Sequence, residues 1–252
     1  MVCAVLRAYA SGRLFGESFG REAAWVLALH GWARTHQDFA AALGDLGVDG
    51  TALDAIAIDL PGFGATPPPP RRWGSPEYAA AVAEVLDELP GAIVVVGHSF
   101  GGRVAVHLAA LRPERVAGLV LTGAPLLRAA PARPARRYRA VRALARAGLV
   151  GEARLERARG RYGSADYRAS SGVMREVLVA SIGEEYGAVL RAIACPVALL
   201  WGELDRDVPV EVATELAAVL GGPAPTILAG IGHLVPTEAP QALRKLILDM
   251  RP

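Results

Sequence analysis

The sequence predicts an α/β fold: a mostly parallel sheet flanked by helices, with a helical segment inserted after the sixth strand-like run of the sheet core. Three observations carry this. Short apolar runs rich in Val, Ile, Leu and Ala alternate with helix-type segments, the pattern of a parallel sheet covered by helices. Several runs end in glycine-containing loops that hold the polar residues, the end at which such sheets bind ligands. The alternation stops between Leu126 and Arg191, where no strand-like run occurs. With 252 residues, 52% of them hydrophobic, the chain can fill the core of one large domain.

Taken in order, Cys3–Tyr9 and Leu14–Phe19 flank Ser11-Gly12 and predict an opening hairpin. Trp25–Leu29 predicts a buried strand ending in His30-Gly31, and Asp54–Ile58 another, ending in Asp59-Leu60-Pro61-Gly62-Phe63-Gly64. The tract Pro67–Pro70 reads as a stiff surface loop. Ser75 reads as an N-cap with Pro76 at the first helical position, opening a helix to about Leu89. Ala92–Val96 predicts a strand, Phe100–Leu111 a helix and Val116–Thr122 a strand. Within the interruption, Arg136–Ala147, Glu152–Arg161 and Ser171–Ile182 predict helices separated by Gly148, Gly151, Gly160 and Gly163. Residues 126–191 therefore read as an inserted helical lid, dividing the core domain into 1–125 and 192–252. Val197–Trp201 predicts a strand and Val210–Leu220, with Gly221-Gly222 behind it, a helix. Thr226–Leu228 is a last short strand and Thr237–Met250 a closing helix.

Bulk properties narrow the function. Residues 126–191 hold 14 arginines against six acidic residues, although the whole chain carries only +2. Arg133, Arg136, Arg137, Arg139 and Arg142 do not share one helical face, and a solvated surface in an Arg- and Ala-biased sequence accounts for them. No nucleic-acid partner is expected. No apolar run approaches the ~20 residues of a membrane span, and Met1–Tyr9 lacks the basic start and cleavage site of a secretory signal. Cys3 and Cys195 have no metal-ligand spacing and read as buried thiols of a cytoplasmic protein. No internal repeat is present, and the sequence does not address oligomeric state.

The strongest local signal is Gly97-His98-Ser99-Phe100-Gly101-Gly102. It follows one predicted strand and leads straight into a helix, the context in which a Gly-x-Ser-x-Gly elbow has physical meaning. So sharp a turn strains the central residue and exposes its side chain, while the flanking glycines remove side chains that would collide. Ser99 Oγ then stands at a helix N-terminus, with the Phe100 N–H directed at a forming oxyanion. A serine hydroxyl needs a base. Downstream stand Gly202-Glu203-Leu204-Asp205-Arg206-Asp207 and Gly230-Ile231-Gly232-His233-Leu234, each just after a predicted strand. His233 would take the Ser99 proton, and Asp205 would fix and stabilise the imidazole.

Those motifs, with His30-Gly31-Trp32 and Asp59–Gly64, resemble the α/β-hydrolase family in family order across nearly the whole chain. The resemblance implies an eight-stranded sheet with a lid after the sixth strand, matching Leu126–Arg191. It implies that Trp32 donates a second oxyanion N–H beside that of Phe100, and that His30 is structural. It selects Asp205, three residues after Gly202, over Asp207, which stays the alternative. It implies that His98 points away from the nucleophile and packs. His36 and His107 have no partner that the sequence names. Family members that use an aspartate nucleophile, the haloalkane dehalogenases and epoxide hydrolases, are set aside by Ser99. No metal and no organic cofactor are implied.

The expectation is hydrolysis of a small carboxylic ester or related acyl substrate, the one partner implied being a small molecule. The pocket is expected to be lined by Trp32, Arg103, Leu126 and Leu234, with Tyr138 and Tyr162 from the lid. Arg103, four residues after Ser99, supports a second reading. The elbow with this arginine resembles that of the pyruvate-eliminating synthase of the menaquinone pathway, where the arginine binds a substrate carboxylate. Thr122-Gly123-Ala124-Pro125 departs from that enzyme's pattern. A carbon–carbon bond hydrolase on the same triad is a related alternative.

Overall fold

The computed structural model describes residues 6–44, 52–127, 143–145, 147–151, 153–154 and 164–251. Its centre is an eight-stranded sheet with the order β1-β2-β4-β3-β5-β6-β7-β8. The strands are β1 Leu6–Tyr9, β2 Leu14–Phe19, β3 Val26–Leu29, β4 Ala55–Asp59, β5 Ile93–His98, β6 Val116–Thr122, β7 Val197–Gly202 and β8 Thr226–Leu228. The β1–β2 and β2–β4 pairs are antiparallel and all other pairs are parallel.

Alternate residues along the central strands feed two cores. Leu27, Leu29, Ile56, Ile58, Val95, Leu119 and Leu121 join Tyr78, Val82 and Leu86 of α2 (Ser75–Asp87) and Val104 and Leu108 of α3 (Phe100–Leu111). Val26, Ala28, Ala55, Ala57, Val94, Val96 and Val120 face the other way. They meet Phe39, Leu43, Leu243 and Ile247. Both faces are apolar because both are covered, which is why these strands read as unbroken hydrophobic runs. Each fully buried Leu, Ile or Val contributes roughly 1.5–3 kcal/mol.

Several boundaries differ from the sequence expectation. The N-cap of α2 is Gly74, not Ser75, and Glu77 Oε2 accepts the Gly74 N–H at 2.8 Å. Ser75 is buried inside the helix, and its hydroxyl lies 3.2 Å from that of Tyr186. The closing helix is broken into α8 (Val235–Glu238) and α9 (Pro240–Asp249). Pro240 disfavours helical backbone at Ala239, which sits at φ −139°. A 3₁₀ turn at His36–Phe39 running into α1 (Ala40–Leu43) was not expected. It has no side-chain cap, and forms because Phe39, Ala42 and Leu43 bury against α9.

Between β6 and β7 lie α4 (Ala165–Ala169), α5 (Gly172–Gly183) and α6 (Gly187–Arg191), and no strand occurs there among the described residues. Of these only α5 was anticipated, one residue displaced. The expected helices at Arg136–Ala147 and Glu152–Arg161 lie largely outside the described residues, with 143–145 and 153–154 helical. β7 leads through a loop to α7 (Val210–Leu220), which ends on Gly221 in the left-handed conformation. Cys3 lies outside the described residues, and Cys195 is a half-buried free thiol.

Candidate active site

Ser99 joins β5 to α3 with φ 50° and ψ −110°, a conformation that costs an L-residue about 1–3 kcal/mol. The turn is held from both sides. Ser99 N–H donates to Thr122 O of β6 at 2.8 Å, and Gly102 N–H donates to Ser99 O at 3.0 Å. Two glycines permit it. A methyl at Gly97 would fall 2.6 Å from Gly102 Cα, across the turn, and one at Gly101 would fall 2.1 Å from Leu29 O of β3. Gly97 thus opens the turn, and Gly101 seats the helix on the neighbouring strand.

Asp205 and His233 come from the loops after β7 and β8. The loops brace each other: Leu204 N–H donates to Ile231 O at 2.8 Å, and Glu203 N–H to Leu228 O at 2.9 Å. Trp201, fully buried, ties its indole N–H to Val208 O at 2.8 Å and closes the acid loop. Asp205 is buried, with Oδ2 2.8 Å from His233 Nδ1. Its Oδ1 accepts the N–H groups of Asp207 (2.9 Å) and Val208 (2.8 Å). Asp207 is exposed and contributes its amide. The structure therefore joins Asp205, not Asp207, to His233. Asp205, Asp207 and His233 could also share a metal ion by distance, their ligand atoms lying within 4.8 Å of one another. Both Asp205 oxygens already have partners within the loops.

The His233 ring lies 4.9 Å from that of His98, the residue before Ser99, which puts the histidine beside the elbow. His98 is buried, with Nδ1 2.9 Å from Thr122 Oγ1. Burial first, and the neighbouring His233 second, depress its pKa to about 3, so it stays neutral beside the His233 ring. Gly123, at φ 55°, completes the wall: a methyl there would meet His233 Cε1 at 2.8 Å. Nothing in the local sequence marks Gly123, because the contact joins the end of β6 to a loop far along the chain.

Across the site, His30 Nε2 accepts the Leu60 N–H at 2.9 Å while Nδ1 lies 2.7 Å from Gly31 O. Accepting at Nε2 requires the proton on Nδ1, and burial lowers the pKa to about 4. His30 is a neutral brace that fixes Gly31-Trp32. The Trp32 ring packs edge-on against Phe63 (5.0 Å) and Phe100 (5.4 Å), and Phe100 against Tyr78 (5.1 Å). Phe100 opens α3, where the first N–H groups lack helical acceptors.

The remaining expected pocket residues fare differently. Leu126 is buried in the core that α2 and α3 share, and Leu234 is half-buried at the N-cap of α8. Tyr138 and Tyr162 lie outside the described residues. Arg103 is engaged elsewhere: Nη1 donates to Ser181 O and lies 3.4 Å from Tyr186 OH, and its guanidinium sits 5.6 Å from the Tyr186 ring centroid. The His107 ring lies tilted against the same ring, with centroids 5.6 Å apart. His36 does have a partner, with Nδ1 2.8 Å from Asp59 Oδ1. Met174 of α5 covers Gly62, a contact that only the folded chain reveals.

Comparison with known proteins matches residues 26–246 to the profile of the alpha/beta hydrolase family. The chain is 36% identical over 228 residues to lipase LipV of Mycobacterium tuberculosis, covering 77% of this chain and 82% of that one. It is 28% identical over 222 residues to 2-hydroxy-6-oxononadienedioate/2-hydroxy-6-oxononatrienedioate hydrolase of Cupriavidus pinatubonensis, covering 77% and 74%. Among solved structures, an esterase from Thermogutta terrifontis superposes with a TM-score of 0.68 at 23% identity over 99% of both chains.

Proposed function

The chain belongs to the alpha/beta hydrolase family, and from that membership we propose that it hydrolyses small carboxylic esters or related acyl substrates through an acyl-Ser99 intermediate. The observation that carries this reading is the Asp205–His233 hydrogen bond of 2.8 Å standing beside a serine forced to φ 50°. With its Nδ1 proton directed at Asp205, His233 has a bare Nε2 to receive the Ser99 proton as Oγ attacks the acyl carbon. The N–H groups of Phe100 and Trp32 stabilise the oxyanion. His233 then returns the proton to the departing alcohol, and a water activated by the same nitrogen releases the acid. Asp205 stabilises the imidazolium throughout. The inserted segment acts as a lid that excludes water and limits acyl size. No cofactor takes part.

Relatives named as a lipase and as pimeloyl-[acyl-carrier protein] methyl ester esterases support ester substrates. The relative named for dienedioate hydrolysis favours carbon–carbon cleavage as a second reading. That reading, like elimination, uses Arg103 as a carboxylate receptor, and the bonds of Arg103 to Ser181 and Tyr186 weigh against it.

The test is a fluorophosphonate probe and a panel of p-nitrophenyl esters of rising chain length. The native chain is expected to label once, at Ser99, and to turn over the shorter esters. Ser99→Ala removes labelling and nearly all turnover while keeping the native circular dichroism. Full labelling of Ser99→Ala would refute the assignment.

A further inference from the structure

We propose that Arg103 is a positioning residue that pins the inserted segment onto the nucleophile helix, and that the site consequently favours acyl groups without a terminal carboxylate. The proposal rests on the ester-hydrolase reading above for its substrate half and on geometry alone for its structural half.

Arg103 lies on the first turn of α3, the position from which a cation could reach a bound acid. Its guanidinium is instead taken up by the last turn of α5 and the turn that leads into α6. It donates to Ser181 O, and the Tyr186 hydroxyl and ring stand over it. Tyr186 OH in turn donates to Glu184 Oε2. Glu184 Oε1 accepts the Ser75 N–H at 2.7 Å, and Ser75 Oγ lies 3.2 Å from Tyr186 OH. One connected set of hydrogen bonds thus joins α3, the α5–α6 stretch and the first turn of α2.

Its composition is self-contained. Arg103 and Glu184 balance in charge, with the Tyr186 phenol bridging them. Burial pushes that phenol's pKa well up, so it remains a donor. Ser75, Ser181 and Tyr186 are all buried, which makes an unpartnered member costly. A substrate carboxylate reaching Arg103 would have to displace a carbonyl and a phenol and face Glu184. A second contact fastens the other end of α5, where Met174 rests on Gly62 in the loop that carries Phe63. The two contacts tie one end of α5 to α3 and the other to the loop of Phe63, whose ring packs on those of Trp32 and Phe100.

The test compares the native chain with Arg103→Met, Arg103→Lys, Tyr186→Phe and the Arg103→Met/Tyr186→Phe pair. Each is assayed on neutral p-nitrophenyl esters and on p-nitrophenyl monoesters of dicarboxylic acids of the same length, and each is subjected to limited proteolysis. Expected are faster cleavage within 164–191 in Arg103→Met and Tyr186→Phe, with the pair no worse than Arg103→Met. KM for the longer neutral esters rises about tenfold while kcat changes by less than about threefold, the signature of lost positioning rather than lost chemistry. Arg103→Lys restores part of the protection, and the native chain prefers neutral esters. The opposite pattern overturns the proposal: Arg103→Met loses the dicarboxylic monoesters selectively, with neutral esters and proteolysis unchanged. Unchanged proteolysis in every variant also overturns it. Should Arg103→Met fail to fold, Arg103→Lys and Tyr186→Phe decide by the same criteria. If the native chain turns over no ester and takes no probe, the ester reading has failed, and the proteolysis series still decides the pinning half.

Discussion

Asp205 shows how much one side chain is asked to do. One oxygen holds two backbone amides and the other holds the His233 ring, so the carboxylate builds its own loop and orients the imidazole. Asp205→Asn is expected to lower kcat by about 10⁴, as the wrong tautomer does in the Ser-His-Asp template. Asp207→Asn leaves the amide that supports Asp205 in place and is expected to stay within about threefold, since an exposed carboxylate contributes little. Steady-state kinetics on a short ester distinguish the two, and a larger loss at Asp207 would reverse the assignment. Ser99, Asp205 and His233 were legible because each lies in a motif whose neighbours share its local job. Gly123, His98 against His233, and the hold of Tyr186 on Arg103 were not. Each is made between elements distant in the chain, by residues that look ordinary in their own surroundings. The partners of Arg103 were hidden for the same reason: spacing from Ser99 says where a side chain starts and nothing about what reaches it first.

Elements follow the same division. Strands buried on both faces declare themselves as apolar runs, and α3 follows from the elbow that opens it, so both were legible. Alpha1 and the break at Ala239 were not legible, since the first owes its existence to α9 and the second to one proline within a helix-like pattern. The seat of α3 on β3 is open to measurement. A methyl at Gly101 would press on Leu29 O, and backbone cannot swing aside as a long side chain can. Gly101→Ala is expected to cost about 1–3 kcal/mol, the usual range for overpacking, and to slow fluorophosphonate labelling by tilting the elbow. Urea unfolding and labelling rate read both effects. Full stability with native labelling would show that the helix has slack that the contact denies.

For the molecule as a whole, His30 and His98 set an acid limit. Their folded pKa values, depressed to about 4 and about 3 by burial, lie below the ~6.5 of an unfolded chain. The unfolded state therefore binds protons that the native state refuses. Stability is expected to be full above about pH 6.5 and to decline as pH falls toward 3, most steeply where both histidines contribute. Urea midpoints at pH 7.5, 6 and 5 test this; a flat series would sink it, and His98→Gln is expected to lessen the slope. Sheet architecture was legible at this scale because alternation, loop motifs and the interruption all agreed on it; how tightly 164–191 closes on the core was not. β7 and β8, which carry the acid and the histidine, are added at one edge of a sheet whose other members all precede the insertion. During synthesis, at ~5–20 residues per second, the elbow is made several seconds before His233. A nascent chain can thus assemble six of the eight strands around Ser99 before His233 has been made. On the mechanism proposed above, reactivity waits until β8 has docked beside β7 and brought His233 to the elbow.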